Sequence, residues 1–159
     1  MRKRKYHQFP LHDVDFTQKY SFWADLSYLV ETFAGMNNKS GSIKLIGNEG
    51  ETLNIKRNIA IDIAEANVDF VQLTNQNRKN IILKIDPNGT IDFRFRILYS
   101  HLNQKYNRIA TRGDTFLVRS ELANGILTLK VHLAEGPGHT TCNEIADTIV
   151  DEIDRSNKK

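Results

Sequence analysis

The chain has 159 residues, 40% of them apolar, 26% charged and three of them proline. That is the size and composition of one folded domain able to bury its own core, not of a disordered or linker-rich chain. The net charge of +3 and the single cysteine, Cys142, exclude an internal disulfide framework and a four-cysteine metal site.

The charge is unevenly placed. Arg2–Lys5 supply four positive charges, and Arg155, Lys158 and Lys159 three more, so the remaining 15 basic and 19 acidic residues leave the body at −4. Between Gln76 and Arg119, nine basic residues face three acidic ones, whereas the end of the chain carries Glu144, Asp147, Asp151, Glu152 and Asp154. A basic region and an acidic helix on one domain make it polarised, which bears on its partners. The lone thiol and the absence of any apolar run near the roughly 18 residues of a membrane span predict a cytoplasmic protein with no membrane contact.

Residues 1–12 form an expected flexible basic arm, with Phe9-Pro10-Leu11 as its sticky spot, ahead of a single domain over 13–155 and a short basic tail at 156–159. Asp15, with Gln18 three residues on, is the expected N-cap of a first helix. Phe22, Leu26, Leu29 and Phe33 recur at helical spacing, Trp23 and Val30 widen the stripe, Phe16 and Tyr20 extend it, and Gly35 ends it. Ser42–Ile46 and Thr52–Ile55 alternate around Gly47–Gly50 as a hairpin. Ile59–Leu73 fits either a helix or a strand, and its alanines favour a helix.

Asp86-Pro-Asn-Gly-Thr90 carries the residues of a three-residue hairpin loop. It pairs Ile81 with Phe95, Leu83 with Phe93 and Ile85 with Ile91. That register sets Lys84 opposite Asp92, with Arg94 and Arg96 on the same face. Residues 100–111 have no firm assignment. Asn124-Gly125 is a two-residue type I′ turn pairing Leu122 with Leu127, Val118 with Val131 and Phe116 with Leu133. After Glu135–Gly138, Thr141 and Glu144 form a capping box for a closing helix faced by Ile145, Ile149 and Ile153. The fold class that follows is α+β: an antiparallel meander of about six strands in hairpins, covered by an N-terminal and a C-terminal helix.

Several constellations carry candidate chemistry. Gly136-Pro-Gly-His-Thr-Thr141 delivers the chain to a helix N-terminus, where free N–H groups suit an anionic or nucleotide ligand, with His139 and Thr140 as added donors. It lacks the lysine and glycine spacing of a P-loop, and a capped turn explains it as well. Cys142 with His139 is a candidate thiol–base pair without a third group, against a plain half-buried residue. His132, His139 and Cys142 have no recognised zinc spacing, so no metal and no cofactor is expected. Arg112-Gly-Asp114 spells an adhesion tripeptide but sits where a turn enters a strand.

Lys84, Arg94 and Arg96 form a basic strip that Arg108, Arg112 and Arg119 extend. Phe93 and Phe95 fall on the other face, so they cannot stack bases beside the arginines. The expected function is a non-catalytic binding or assembly module that docks through this face and the basic arm, onto an acidic protein partner or a second copy of itself. The alternatives are a nucleic-acid-binding accessory protein, and an enzyme or ligand sensor using the Gly136–Thr141 loop. The candidate binding residues are Lys84, Arg94, Arg96, Arg119, His139 and Thr140.

Overall fold

The computed structural model describes residues 9–36, 40–46, 52–65, 69–102 and 108–157. The Arg2–Lys5 arm, the Gly47–Gly50 turn and Lys158–Lys159 lie outside them. The elements run β1 (Phe16–Ser21), α1 (Leu26–Met36), β2 (Ser40–Ile46), β3 (Thr52–Glu65), β4 (Val71–Gln72), α2 (Arg78–Lys84), β5 (Thr90–Leu102), β6 (Arg108–Ala123), β7 (Ile126–Glu135) and α3 (Cys142–Asn157). Six strands form one antiparallel sheet in the order β1-β7-β6-β5-β3-β2, and β4 adds a short rung to β3. The class is α+β, with an antiparallel sheet under helices near both ends of the chain. Among the described residues no helix is long and apolar enough to cross a membrane.

The sheet has one apolar face. Ile61 and Ile63 of β3, Phe93 and Phe95 of β5, Phe116 and Val118 of β6, and Leu129 and Val131 of β7 all point into a single core with Leu29 and Phe33 of α1 and Ile145 and Ile149 of α3. Phe33 stands edge-on to Phe93 and Phe95, with centroids 4.4 and 5.3 Å apart. That is the favoured geometry for aromatic pairs. Strand alternation then sends Asp62, Asp92, Arg94, Arg96 and Arg119 to the opposite, outer face.

Two of the expected strand pairs are present. β6 and β7 pair Leu122 with Leu127, Val118 with Val131 and Phe116 with Leu133. Asn124 (φ 53°) and Gly125 (φ 74°) supply the two positive φ values that a type I′ turn requires. β2 and β3 pair Ile43 with Ile55 and Leu45 with Leu53. The closing helix starts on its capping box: Glu144 N donates to Thr141 Oγ1 at 3.1 Å, and Thr141 N to Glu144 Oε1 at 3.3 Å.

Three expectations are corrected. Residues 16–21 are strand, not helix. Phe16 and Tyr20 are four apart, a spacing that shares a face in a helix and in a strand alike, and here they pair with Val131 and Leu127 on β7. The helix begins later, at an N-cap formed by Asp25, whose Oδ1 accepts Ser27 N at 2.9 Å. Trp23, expected in the buried stripe, is 55% exposed. Residues 59–65 extend β3 instead of forming a helix, since Ile61 pairs with Phe95 and Ile63 with Phe93.

The third correction concerns the Asp86–Thr90 turn. It joins a helix to a strand, not two strands. Both edges of β5 are occupied, by β3 and β6, so no ladder is left for Ile81–Ile85. That segment forms α2, whose entry is fixed by Thr74 and Asn77: Thr74 N donates to Asn77 Oδ1 at 2.8 Å and Asn77 N to Thr74 Oγ1 at 3.1 Å. Lys84 therefore lies on a helix and not opposite Asp92.

Candidate functional site

The outer sheet face is built from cross-strand ion pairs. Asp62 sits directly opposite Arg94 in the β3–β5 register. Its carboxylate is 2% exposed and accepts Arg94 Nε at 2.8 Å, Arg96 Nε at 2.9 Å and Arg96 Nη2 at 3.1 Å. One buried negative charge thus orders two guanidinium groups. Arg94 also lies over the Phe70 ring, 4.8 Å from its centroid, in a cation–π contact. Of the five N–H donors on each guanidinium, Asp62 takes one from Arg94 and two from Arg96. The Arg94 and Arg96 side chains stay 37% and 43% exposed, respectively.

Arg119 shares the face but not the exposure. It forms a two-pronged pair with Asp92, Nε–Oδ1 at 2.7 Å and Nη2–Oδ2 at 2.8 Å, with both side chains buried. The Asp92 hydrogen bond raises the arginine's pKa further above its already high value. Phe9 closes over the pair, its ring centroid 5.2 Å from the Arg119 guanidinium carbon, and is itself 5% exposed. Phe9, from the sticky spot of the expected arm, thereby lies on the outer face. Lys130 and Glu121 add a further pair at 2.6 Å.

Two β-bulges shape the far end of this face. Ile97 pairs with Asp114 and Tyr99 with Thr111, so β6 holds one extra residue, at Arg112–Gly113. Thr115 pairs with Glu135 and Phe116 with Leu133, so β7 holds an extra residue at Ala134. Bulges bend a strand and re-aim its side chains. Here they flank a pocket of about 250 Å³ lined by Arg96, Leu98, Arg112, Thr115 and Glu135 together with the backbone of Gly113 and Asp114. Arg112, one of the residues expected to extend the strip, thus lines one concavity with Arg96.

The Gly136–Thr141 loop is already filled by an anion of the protein's own. Asp114, 1% exposed, accepts Gly138 N at 2.7 Å (Oδ1), Thr140 N at 3.2 Å and Tyr99 OH at 2.5 Å (both Oδ2). The backbone is shaped to it: Gly136 has φ 111°, and a side chain there would run into Asp114 and the Gly113 carbonyl. Tyr99 OH also meets Thr140 Oγ1 at 2.7 Å, and Arg57 Nη1 donates to that same oxygen at 3.1 Å. Burial and the Asp114 bond together hold the Tyr99 phenol protonated well above its usual range. The donors expected for a ligand at Thr140 are spent on this knot. His139 is exposed beside it, edge-on to Tyr99 at 5.2 Å. Asp114 of the adhesion-like tripeptide is buried within it.

Cys142 is pushed up to about 11 by burial first and the nearby Asp15 carboxylate second, so it is a thiol at neutral pH and a poor nucleophile. Its Sγ lies 3.9 Å from Asp15 Oδ2, and His132 Nδ1 is 3.2 Å from the same oxygen and 2.7 Å from the Asp13 carbonyl. His139 is elsewhere, against Tyr99. Among the described residues no group of three His, Cys, Asp or Glu side chains is placed to hold a metal.

Of the six residues singled out by sequence, the structure brings Arg94 and Arg96 together on Asp62. It seals Arg119 beneath Phe9, carries Lys84 to α2, and sets His139 and Thr140 at the N-terminus of α3. No protein-family model, no curated protein and no solved structure matches the chain.

Proposed function

We propose that the protein is a non-catalytic binding module whose outer sheet face docks an acidic segment of a protein partner. The observation that carries this reading is the sharing of one carboxylate by two arginines. Asp62 cancels one charge of the Arg94–Arg96 pair and leaves the other, on heads whose orientation is already fixed. Pre-ordered guanidinium groups lose less entropy on binding a carboxylate, and they bind it in two-pronged fashion. Arg112 across the bulge pocket lengthens the strip. The arm Arg2–Lys5 precedes Phe9 by four to seven residues, within reach of the same face, and adds four charges to its field.

Nucleic acid is the poorer fit. Base stacking needs free aromatic faces beside the cations; Phe93 and Phe95 are fully buried under the opposite side, and the Phe70 ring already carries the Arg94 guanidinium. A second copy presenting the acidic outward residues of α3 is a special case of the acidic partner, and a head-to-tail geometry would make it concentration-dependent.

The test is titration of a labelled glutamate-rich peptide into the full chain at low salt. Binding weakens about ten-fold in Arg112→Ala and in Arg96→Gln, which keeps a donor for Asp62, and it falls steeply with added salt. No binding at low salt, or binding indifferent to both substitutions, contradicts the proposal.

A further inference from the structure

A second site lies away from the outer-face arginines. β3, β4 and α2 enclose a cavity of about 330 Å³ walled by Ile63, Val71, Ile81 and Ile85, with Asp69 and Lys84 also lining it. This volume is at the lower end of what small-molecule sites offer, and an aliphatic wall with a few polar groups is their usual make-up. The two charges are opposite in sign and line one cavity. Yet they do not pair with each other, nor with any other described residue. Both are exposed, so each remains hydrated and available.

The wall is also loosely held. α2 has seven residues, none of them buried. Leu83 is 84% exposed on it. An element with so little buried surface opens locally at small cost, which gives a ligand a way in.

From these features we infer that the cavity binds a small zwitterion with an aliphatic body, of the size and class of a free branched-chain α-amino acid. The carboxylate meets Lys84, the ammonium meets Asp69, and the aliphatic group packs on Ile63, Ile81 and Ile85. A ligand with one charge leaves the opposite group without a partner. A nucleotide or a long acyl chain exceeds the volume.

The experiment is amide chemical-shift mapping on the full-length chain, with L-leucine, 4-methylpentanoic acid, which lacks the amine, and isopentylamine, which lacks the carboxylate. Leucine is expected to shift the amides of Val71, Ile81 and Ile85 in a saturable way. Each single-charge analogue is expected to bind at least ten-fold more weakly, as is leucine to Lys84→Met and to Asp69→Asn. Both positions are exposed, so these variants keep the native spectrum elsewhere. Arg112→Ala binds leucine like the parent chain. Absence of saturable shifts with leucine overturns the inference. So does equal binding of either analogue, or leucine affinity unchanged in both charge variants.

Discussion

Asp62 meets Arg96 twice, through Nε at 2.9 Å and Nη2 at 3.1 Å, while its Oδ2 also accepts Arg94 Nε at 2.8 Å. The carboxylate is buried and the arginine heads are not. The arrangement therefore has two effects of opposite sign. It ties β3 to β5 from the outer side, and it subtracts one positive charge from the potential the arginines present to a partner.

The buried pair between Asp92 and Arg119 behaves differently, because neither side chain reaches solvent freely. Arg119→Met takes the two-pronged guanidinium partner from the buried Asp92 carboxylate and costs about 3–5 kcal/mol of stability. The double variant Asp92→Leu/Arg119→Met costs less than either single change, since it leaves no buried charge without its counter-charge. Urea unfolding of the three proteins checks this, and additive losses would show that the two side chains are not coupled.

Asp114 is a structural anion, and its removal tells it apart from a ligand site. Asp114→Ala strands Gly138 N and Thr140 N and takes the carboxylate acceptor from Tyr99 OH, at a cost of about 3 kcal/mol or more. Added acetate, entering the space vacated by the carboxylate, raises the melting temperature of the variant and leaves the parent chain unchanged. A variant as stable as the parent chain would contradict the role given to Asp114.

Alkaline pH loosens the contact between β1 and α3. Tyr20 donates to the Asp154 carboxylate, and that bond, with burial and the negative charge of Asp154, pushes its pKa up to about 12. An unfolded tyrosine titrates near 10. The folded state therefore holds a proton that the unfolded chain has lost, so this contribution is complete below about pH 10 and is lost as pH rises towards 12. Tyr20→Phe removes the contribution and flattens the decline, as read from urea midpoints at pH 8, 10 and 11. An identical slope in the variant would contradict the assignment.

What the sequence disclosed follows from which signals are local. Asn124-Gly125 admits few alternatives, because two successive positive φ values suit few residue pairs, and the β6–β7 register follows from it. The Thr141–Glu144 box is equally local. Phe16 and Tyr20 misled because a spacing of four serves both periods. Ile81–Ile85 misled because strand or helix was settled far away, by β3 and β6 occupying both edges of β5. At the candidate site, alternation was enough to place Arg94 and Arg96 apart from Phe93 and Phe95. The partners Asp62, Asp92 and Asp114 were beyond reach, since each comes from a different strand and only the sheet order brings it to its cation or donor.

The most direct measurement of the central claim is the affinity of the glutamate-rich peptide for Asp62→Asn at low and at high salt, read beside urea unfolding. Asparagine removes the negative charge and raises the local positive potential, while its Oδ1 still accepts from the arginines and keeps part of their order. Peptide binding at low salt is expected to tighten about two- to five-fold, an advantage that disappears at high salt. Stability is expected to fall by about 1–3 kcal/mol, discounted for the partial exposure of the arginines. A loss of peptide affinity in a variant that remains folded, or a gain that salt does not erase, would contradict the assignment of this face as the docking surface.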